Sequence, residues 1–240
     1  MIHIAGGGLT GLVAAWQLLN RGFDITLIEA RAEIGLPTRS PGWLRDSDLL
    51  HELPQDLLES SEGVSFGDGF GFRRGWFDRR LAQHLGDGGV RISTRTEVVI
   101  RDGLIHLLGA GPADDGPIAG PRVLDALGSV PSLPGFDWDS EVLRGRDDVI
   151  GLEGEALIQW EGGVCIEQDV EGEPSISIPR QGGMVELWWR AGQEEAPSIR
   201  RGFIERITGW HPQEGNLISA DEAILRGCRL ADAATSAWMG

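Results

Sequence analysis

Residues 1–35 read MIHIAGGGLTGLVAAWQLLNRGFDITLIEARAEIG, and this stretch decides the fold. Ile2–Ala5 is a short apolar strand, and Gly6-Gly7-Gly8-Leu9-Thr10-Gly11 follows it directly. Leu12, Ala15, Trp16 and Leu19 recur at helical spacing, so 12–21 reads as a helix that Gly22 terminates. Asp24-Ile25-Thr26-Leu27-Ile28-Glu29 is the next strand, which completes a right-handed βαβ unit with parallel strands. Gly6, Gly8 and Gly11 occupy the G-x-G-x-x-G positions of a dinucleotide-binding turn. The first glycine permits the tight turn, the second lets backbone approach a pyrophosphate, and the third allows close packing. The helix N-terminus favours the phosphate charge. Glu29 ends the second strand 18 residues beyond Gly11, where a carboxylate accepts hydrogen bonds from a ribose and repels a 2′-phosphate.

The whole chain of 240 residues can bury a sizeable core, as one large domain or two small ones. Net charge is −16, all 21 basic residues are arginine, and the pI is near 4.6, which argues against nucleic acid and anionic membrane surfaces as partners. Mean hydropathy is −0.12, and no apolar run approaches the roughly 20 residues of a membrane helix. The N-terminus lacks the basic n-region of a signal peptide, so the expected location is the cytoplasm. Cys165 and Cys228 fit no metal or redox spacing and read as reduced, packed thiols.

Beyond Glu29, a Pro- and Gly-rich loop spans 34–42, and 46–60 reads as a helix broken at Pro54. Residues 64–73 read as extended chain bent at its glycines, and 76–85 as a helix. Strands are expected at 90–92, 97–101 and 104–108, the last two joined by the hairpin signal Asp102-Gly103, and again at 122–126. Between 142 and 190, short strand-like segments at 156–160, 164–168, 175–178 and 184–189 suggest an antiparallel meander. Residues 198–207 read as a helix, 217–219 as a strand and 221–238 as a closing helix.

Four segments carry a family resemblance. Ile28-Glu29-Ala30-Arg31-Ala32-Glu33-Ile34-Gly35 resembles the E-x-R…I-G segment of FAD-dependent oxidoreductases with a glutathione-reductase-type FAD domain. The similar subset contains the aromatic hydroxylases, geranylgeranyl reductases and lycopene cyclases, with the 34–42 loop most like the geranylgeranyl reductases. Arg74-Gly75-Trp76-Phe77-Asp78-Arg79-Arg80-Leu81 is similar to that group's R-x-x-F-D-x-x-L helix, and a solvated basic helix start is the alternative. Arg122 to Gly135 resembles the strand and turn linking FAD and substrate domains, with Leu127 in place of threonine. Asn216 to Gly227 resembles the closing strand and helix, with Ala220 for the usual glycine and no intervening loop.

The resemblance implies an α/β fold: a Rossmann-like FAD-binding domain over 1–135 and 210–240, with a small inserted antiparallel sheet over 136–209 as a reduced substrate domain. It implies FAD contacts at Gly6, Gly8, Leu9, Thr10 and Gly11, and at Glu29, Ala30 and Arg31. Further contacts are implied at Arg39, Arg74, Val98, Ala126 and Gly128. Asp221 either carries a carboxylate to the cofactor or serves as an N-cap. No metal-ligand or nucleophile–base spacing stands out, and His3, His51, His84, His106 and His211 form no cluster. That is expected of a flavoenzyme, where the cofactor carries the chemistry. Trp160, Trp188 and Trp189 either line an apolar pocket or pack a core, with Trp188 and Trp189 on opposite faces of a strand. The implied activity is oxidation or reduction of an apolar or isoprenoid-like small molecule, with NAD(P)H as a candidate electron donor. The alternatives are an FAD-binding module without turnover and a flavin-free scaffold. No oligomeric state is implied.

Overall fold

The computed structural model describes residues 1–109, 116–118, 122–127, 149–151, 157–212 and 219–239. They form a mixed α/β fold in two compact units. The first unit takes in residues 1–36, 78–154 and 223–240, and the second 37–77 and 155–222.

In the first unit the expected βαβ start is present: strand Ile2–Ala5, helix Leu9–Asn20 and strand Ile25–Glu29. The strands pair in parallel, Ile2 opposite Ile25 and Ala5 opposite Ile28. Arg91–Thr94 extends the sheet beyond Ile25–Glu29, while Val123–Asp125 and then Val149–Gly151 extend it on the other side. All five strands are parallel, and Ile25–Glu29 is buried along its whole length, as a sheet covered on both faces requires. One face is covered by Thr96–Arg101 and Leu104–Gly109, whose Val98, Ile105 and Leu107 pack on Ala5, Ile28 and Val123. Asp102 and Gly103 both have positive φ (52° and 74°), as a tight hairpin turn demands. The helix Ala220–Met239 packs closely on Leu9–Asn20 at Gly227, where a Cβ would lie 2.6 Å from that of Val13. Arg21 ties the two helices through Asp232 at 2.6 Å and Thr235 at 2.8 Å.

The second unit is built on a four-stranded antiparallel sheet in the order Ile176–Arg180, Met184–Arg190, Leu157–Ile166, Glu205–Pro212. A small sheet of Trp43–Leu44, Gly69–Gly71 and Val64–Phe66 belongs to the same unit. The bend expected within 64–73 is thus a hairpin. Residues 46–60 form only a 3₁₀ segment, Ser47–Glu52, and one helical turn, Leu57–Ser60.

Two sequence expectations fail here. Segments 156–160 and 164–168 fuse into one strand, Leu157–Ile166, running through Gly162 and Gly163. Those glycines mark close packing instead of a turn: a Cβ at Gly162 would lie 2.7 Å from the Trp188 ring, and one at Gly163 2.5 Å from Phe203. Residues 198–207 are not helical. Ser198–Ile199 is a short strand, Gly202 turns the chain at φ 81°, and Glu205–Pro212 pairs with Leu157–Ile166. Ile199, Phe203 and Ile207 imitate a helical face by spacing alone, and cross-strand pairing overrides it. The strand expected at 217–219 falls on residues of which only Ser219 is described, and the turn 128–135 lies outside the described residues.

Candidate nucleotide site

The candidate site in the first unit grows from the turn between Ile2–Ala5 and Leu9–Asn20. Gly6 sits at φ 114°, and a Cβ there would meet the Ala126 carbonyl oxygen at 2.6 Å. The Gly6 N–H donates to the Ile28 carbonyl at 2.8 Å, and the Ala126 N–H donates to the Ala5 carbonyl at 2.8 Å. A Cβ at Gly11 would collide with the Gly6 carbonyl, so the helix presses on the turn itself. Gly6 and Gly11 thus build the turn. Gly8 does not: it is exposed, has ordinary extended backbone (φ −75°, ψ 172°), and a Cβ there would find nothing within 4 Å among the described residues. Backbone at Gly8 therefore faces open space.

Leu9, Thr10 and Gly11 form the first turn of the helix, with Leu9 and Gly11 buried and Thr10 half-buried. That turn contains no acidic residue, and Gly8 supplies no side-chain cap. Its outward N–H groups carry the partial positive charge of the helix end, a setting for an anion. Glu29 is 8% exposed, and its carboxylate accepts from the Gly7 N–H at 2.9 Å and from the Arg31 N–H at 2.8 Å. The glycine turn and the end of the second strand are thereby locked together. Each carboxylate oxygen keeps a lone pair for a ribose hydroxyl. Ala30 and Arg31 are half-buried, and the Arg31 carbonyl accepts from the Arg95 N–H at 2.9 Å. Val98 is 5% exposed, its side chain turned into the core beneath the hairpin. Sequence reasoning assigned no role to Asp125, a buried carboxylate at the C-terminal end of its strand that accepts from the Leu127 N–H at 3.0 Å. Gly128 lies outside the described residues.

Three expected site residues belong to the second unit. Arg39 is half-buried. Arg74 opens the helix Arg74–Asp87, is 6% exposed, and donates to the Pro41 carbonyl at 3.2 Å, so it is not a solvated helix start. Asp221 lies inside the first turn of Ala220–Met239 and is therefore not its N-cap. Its carboxylate accepts from the Arg45 N–H (3.0 and 2.9 Å) and the Asp46 N–H (2.7 Å), which pins the 44–46 turn.

His211 was also missed. It is fully buried, edge-on to Trp160 (ring centroids 6.3 Å) and Trp188 (5.6 Å). Burial, reinforced by the Arg74 charge, drives its imidazole down to about 4, so it is neutral at pH 7. A histidine within a strand leaves no sequence signal for this. Among the described residues no cluster of His, Cys, Asp and Glu is placed to hold a metal. No helix among them is long and apolar enough to cross a membrane.

Comparison with known proteins agrees with this geometry. Residues 4–61 match the family model of an NAD(P)-binding Rossmann-like domain. The chain is similar to the digeranylgeranylglycerophospholipid reductase of Methanosarcina mazei, 30% identical over 127 residues, covering 43% of this chain and 31% of that protein. It is also similar to a methylenetetrahydrofolate–tRNA-(uracil-5-)-methyltransferase of Microcystis aeruginosa, 28% identical over 168 residues, covering 60% of this chain and 37% of that one. The chain thus covers less than two thirds of these relatives' length. Among solved structures, a geranylgeranyl bacteriochlorophyll reductase-like protein of Thermoplasma acidophilum superposes with TM-score 0.65 at 16% identity, covering 98% of this chain and 78% of that one. Glycine oxidase of Bacillus cereus gives 0.61 at 12% identity, covering 98% and 94%. The matched segment shows a Rossmann-like domain over residues 4–61, and the superpositions show that the fold is shared with these proteins.

Proposed function

We propose that the chain binds FAD and is an oxidoreductase acting on an apolar or isoprenoid-like small molecule in the cytoplasm. The observation that carries the cofactor reading is the open backbone at Gly8, at an uncapped helix N-terminus, beside the buried Glu29 carboxylate. This is a cradle for a pyrophosphate next to a ribose. In this reading the backbone of Gly8, Leu9, Thr10 and Gly11 holds the phosphates, and Glu29 holds the adenosine ribose. Ala30, Arg31 and Val98 flank the adenine side, and Ala126 and Gly128 continue the site along the strand ends. The resemblance also assigns FAD contacts to Arg39, Arg74 and Asp221 of the second unit, where Asp221 fixes the 44–46 turn. Bound FAD supplies hydride transfer or oxygen activation, and a nicotinamide nucleotide is the proposed electron donor.

The similar reductase names a lipid substrate and the similar methyltransferase a tRNA. The charge of −16 disfavours the tRNA, a polyanion, far more than a lipid whose bulk is apolar chain. The test is anaerobic mixing of the purified, FAD-loaded protein with NADH or NADPH, then exposure to oxygen. Bleaching of the flavin band supports an oxidoreductase. A band that no donor bleaches favours binding without turnover, and a protein that takes up no FAD overturns both.

A further inference from the structure

We propose that Asp125 is a positioning residue for the nucleotide: its carboxylate fixes the peptide unit that backs the Gly6–Gly11 turn, and so holds that turn ready for a diphosphate. This rests on the reading that the turn takes the diphosphate of FAD, and adds a residue outside the glycine motif on which the turn depends.

The strand Ile2–Ala5 lies between Ile25–Glu29 and Val123–Asp125, with Ala5 opposite Ile28 on one side and opposite Asp125 on the other. The chain builds one flank first, through Ile25–Glu29 and Arg91–Thr94, and then crosses to Val123–Asp125 on the other, so the sheet order reverses at the glycine turn. In open parallel sheets that reversal opens the crevice in which ligands sit, at the C-terminal ends of the strands. Each flank ends there in a buried carboxylate, Glu29 at 8% exposure and Asp125 at 5%. Glu29 grips the turn directly, through the Gly7 N–H at 2.9 Å. Asp125 grips it through one intermediate.

That intermediate is the peptide unit joining Ala126 to Leu127. Its N–H, on Leu127, donates to the Asp125 carboxylate at 3.0 Å. The same unit lies flat against Gly6: a Cβ there would stand 2.6 Å from the Ala126 carbonyl oxygen, 2.8 Å from the carbonyl carbon and 3.2 Å from the Leu127 nitrogen. Ala126 also backs the helix, since a Cβ at Gly11 would stand 3.3 Å from that of Ala126. The sheet ladder does not fix this unit. Its last bond here, from the Ala126 N–H to the Ala5 carbonyl at 2.8 Å, belongs to the preceding peptide. Beyond the ladder a peptide plane turns about its soft flanking dihedrals unless a further bond holds it, and the Asp125 carboxylate supplies that bond. Rotation of the plane would move the surface on which Gly6 rests at φ 114°. A turn held in its bound shape before the ligand arrives spares the cost of ordering it on binding.

The contribution is the place of an acceptor, not its charge, because a carboxylate by itself repels a diphosphate. Asparagine presents an amide oxygen at the same place, alanine presents none, and glutamate keeps the charge but carries its oxygens one methylene further out. These three substitutions separate acceptor from charge.

The experiment measures Kd for FAD and for ADP by equilibrium dialysis on the full chain, freed of cofactor, at a temperature where each protein's own melting curve shows it folded. ADP carries the adenosine and the diphosphate without the flavin. Asp125→Ala is expected to weaken both ligands by the same factor, about tenfold, the scale of one lost buried hydrogen bond. Asp125→Asn is expected to stay within about threefold of wild type for both. Asp125→Glu is expected to lose as much as Asp125→Ala, and carries the test if that variant fails to fold. A folded Asp125→Ala or Asp125→Glu with wild-type affinities leaves the residue a role in stability only and overturns the proposal. An Asp125→Asn protein as weak as Asp125→Ala also overturns it, as does loss of FAD with ADP unchanged. A wild type that binds both ligands beside variants that bind them equally defeats this proposal alone; a wild type that binds neither defeats the cofactor reading, and this proposal with it.

Discussion

Glu29 carries two duties, and they separate on mutation. Its carboxylate accepts from Gly7 and Arg31 within the folded chain and, in the proposed site, from a ribose. Glu29→Ala is therefore expected to weaken FAD by about 1–3 kcal/mol, roughly 5- to 150-fold in Kd. It also lowers the melting temperature of the cofactor-free protein, because the buried Gly7 N–H loses its acceptor. A dialysis titration and a cofactor-free thermal melt check the two effects, and unchanged FAD affinity would place the ribose elsewhere. His211 makes a pH prediction. Unfolded, it takes up a proton near 6.5; folded, burial and Arg74 hold it to about 4. The unfolded state binds the extra proton between these values, so the contribution is intact above 6.5 and lost progressively as pH falls toward 4. At 1.36 kcal/mol per pH unit the loss totals about 3 kcal/mol. Denaturation midpoints of wild type and His211→Phe across pH 4–7 test this, and the variant is expected to lack that part of the acid sensitivity.

At the scale of elements, the glycines separate by what stands over them. Gly163 lies in the long strand Leu157–Ile166, and a Cβ there would meet Phe203 at 2.5 Å and the Glu205 carbonyl at 2.7 Å. A backbone carbonyl yields little, so Gly163→Ala is expected to cost about 1–3 kcal/mol. Gly86 lies in the exposed face of helix Arg74–Asp87 with open space at its Cβ, and Gly86→Ala is expected to stabilise by about 1 kcal/mol. Urea midpoints moving in opposite directions confirm the contrast; two shifts of the same sign refute it. The same glycines show what sequence can convey. The βαβ start and the Asp102-Gly103 hairpin were legible because local pattern and final structure agree. Gly162-Gly163 and 198–207 were misread because a ring from a distant strand and a cross-strand partner decide their conformation, and neither is visible in a local window.

Over the whole molecule, the glycine turn was legible because Gly6, Gly11 and Glu29 act within one local unit. The His211 cluster was not, since Trp160, Trp188 and His211 converge only when three strands are in register. In the proposed function the Gly6–Gly11 turn holds the pyrophosphate of FAD. Gly8→Val tests it, because a Cβ at Gly8 meets no described residue within 4 Å and Gly8 has ordinary extended backbone. Wild type and Gly8→Val are incubated with FAD, freed of unbound cofactor and compared by visible absorbance. A yellow wild type, a colourless variant and equal melting temperatures of the two cofactor-free proteins are the predicted result. A wild type that takes up no FAD, or a variant that retains it fully, would contradict the claim.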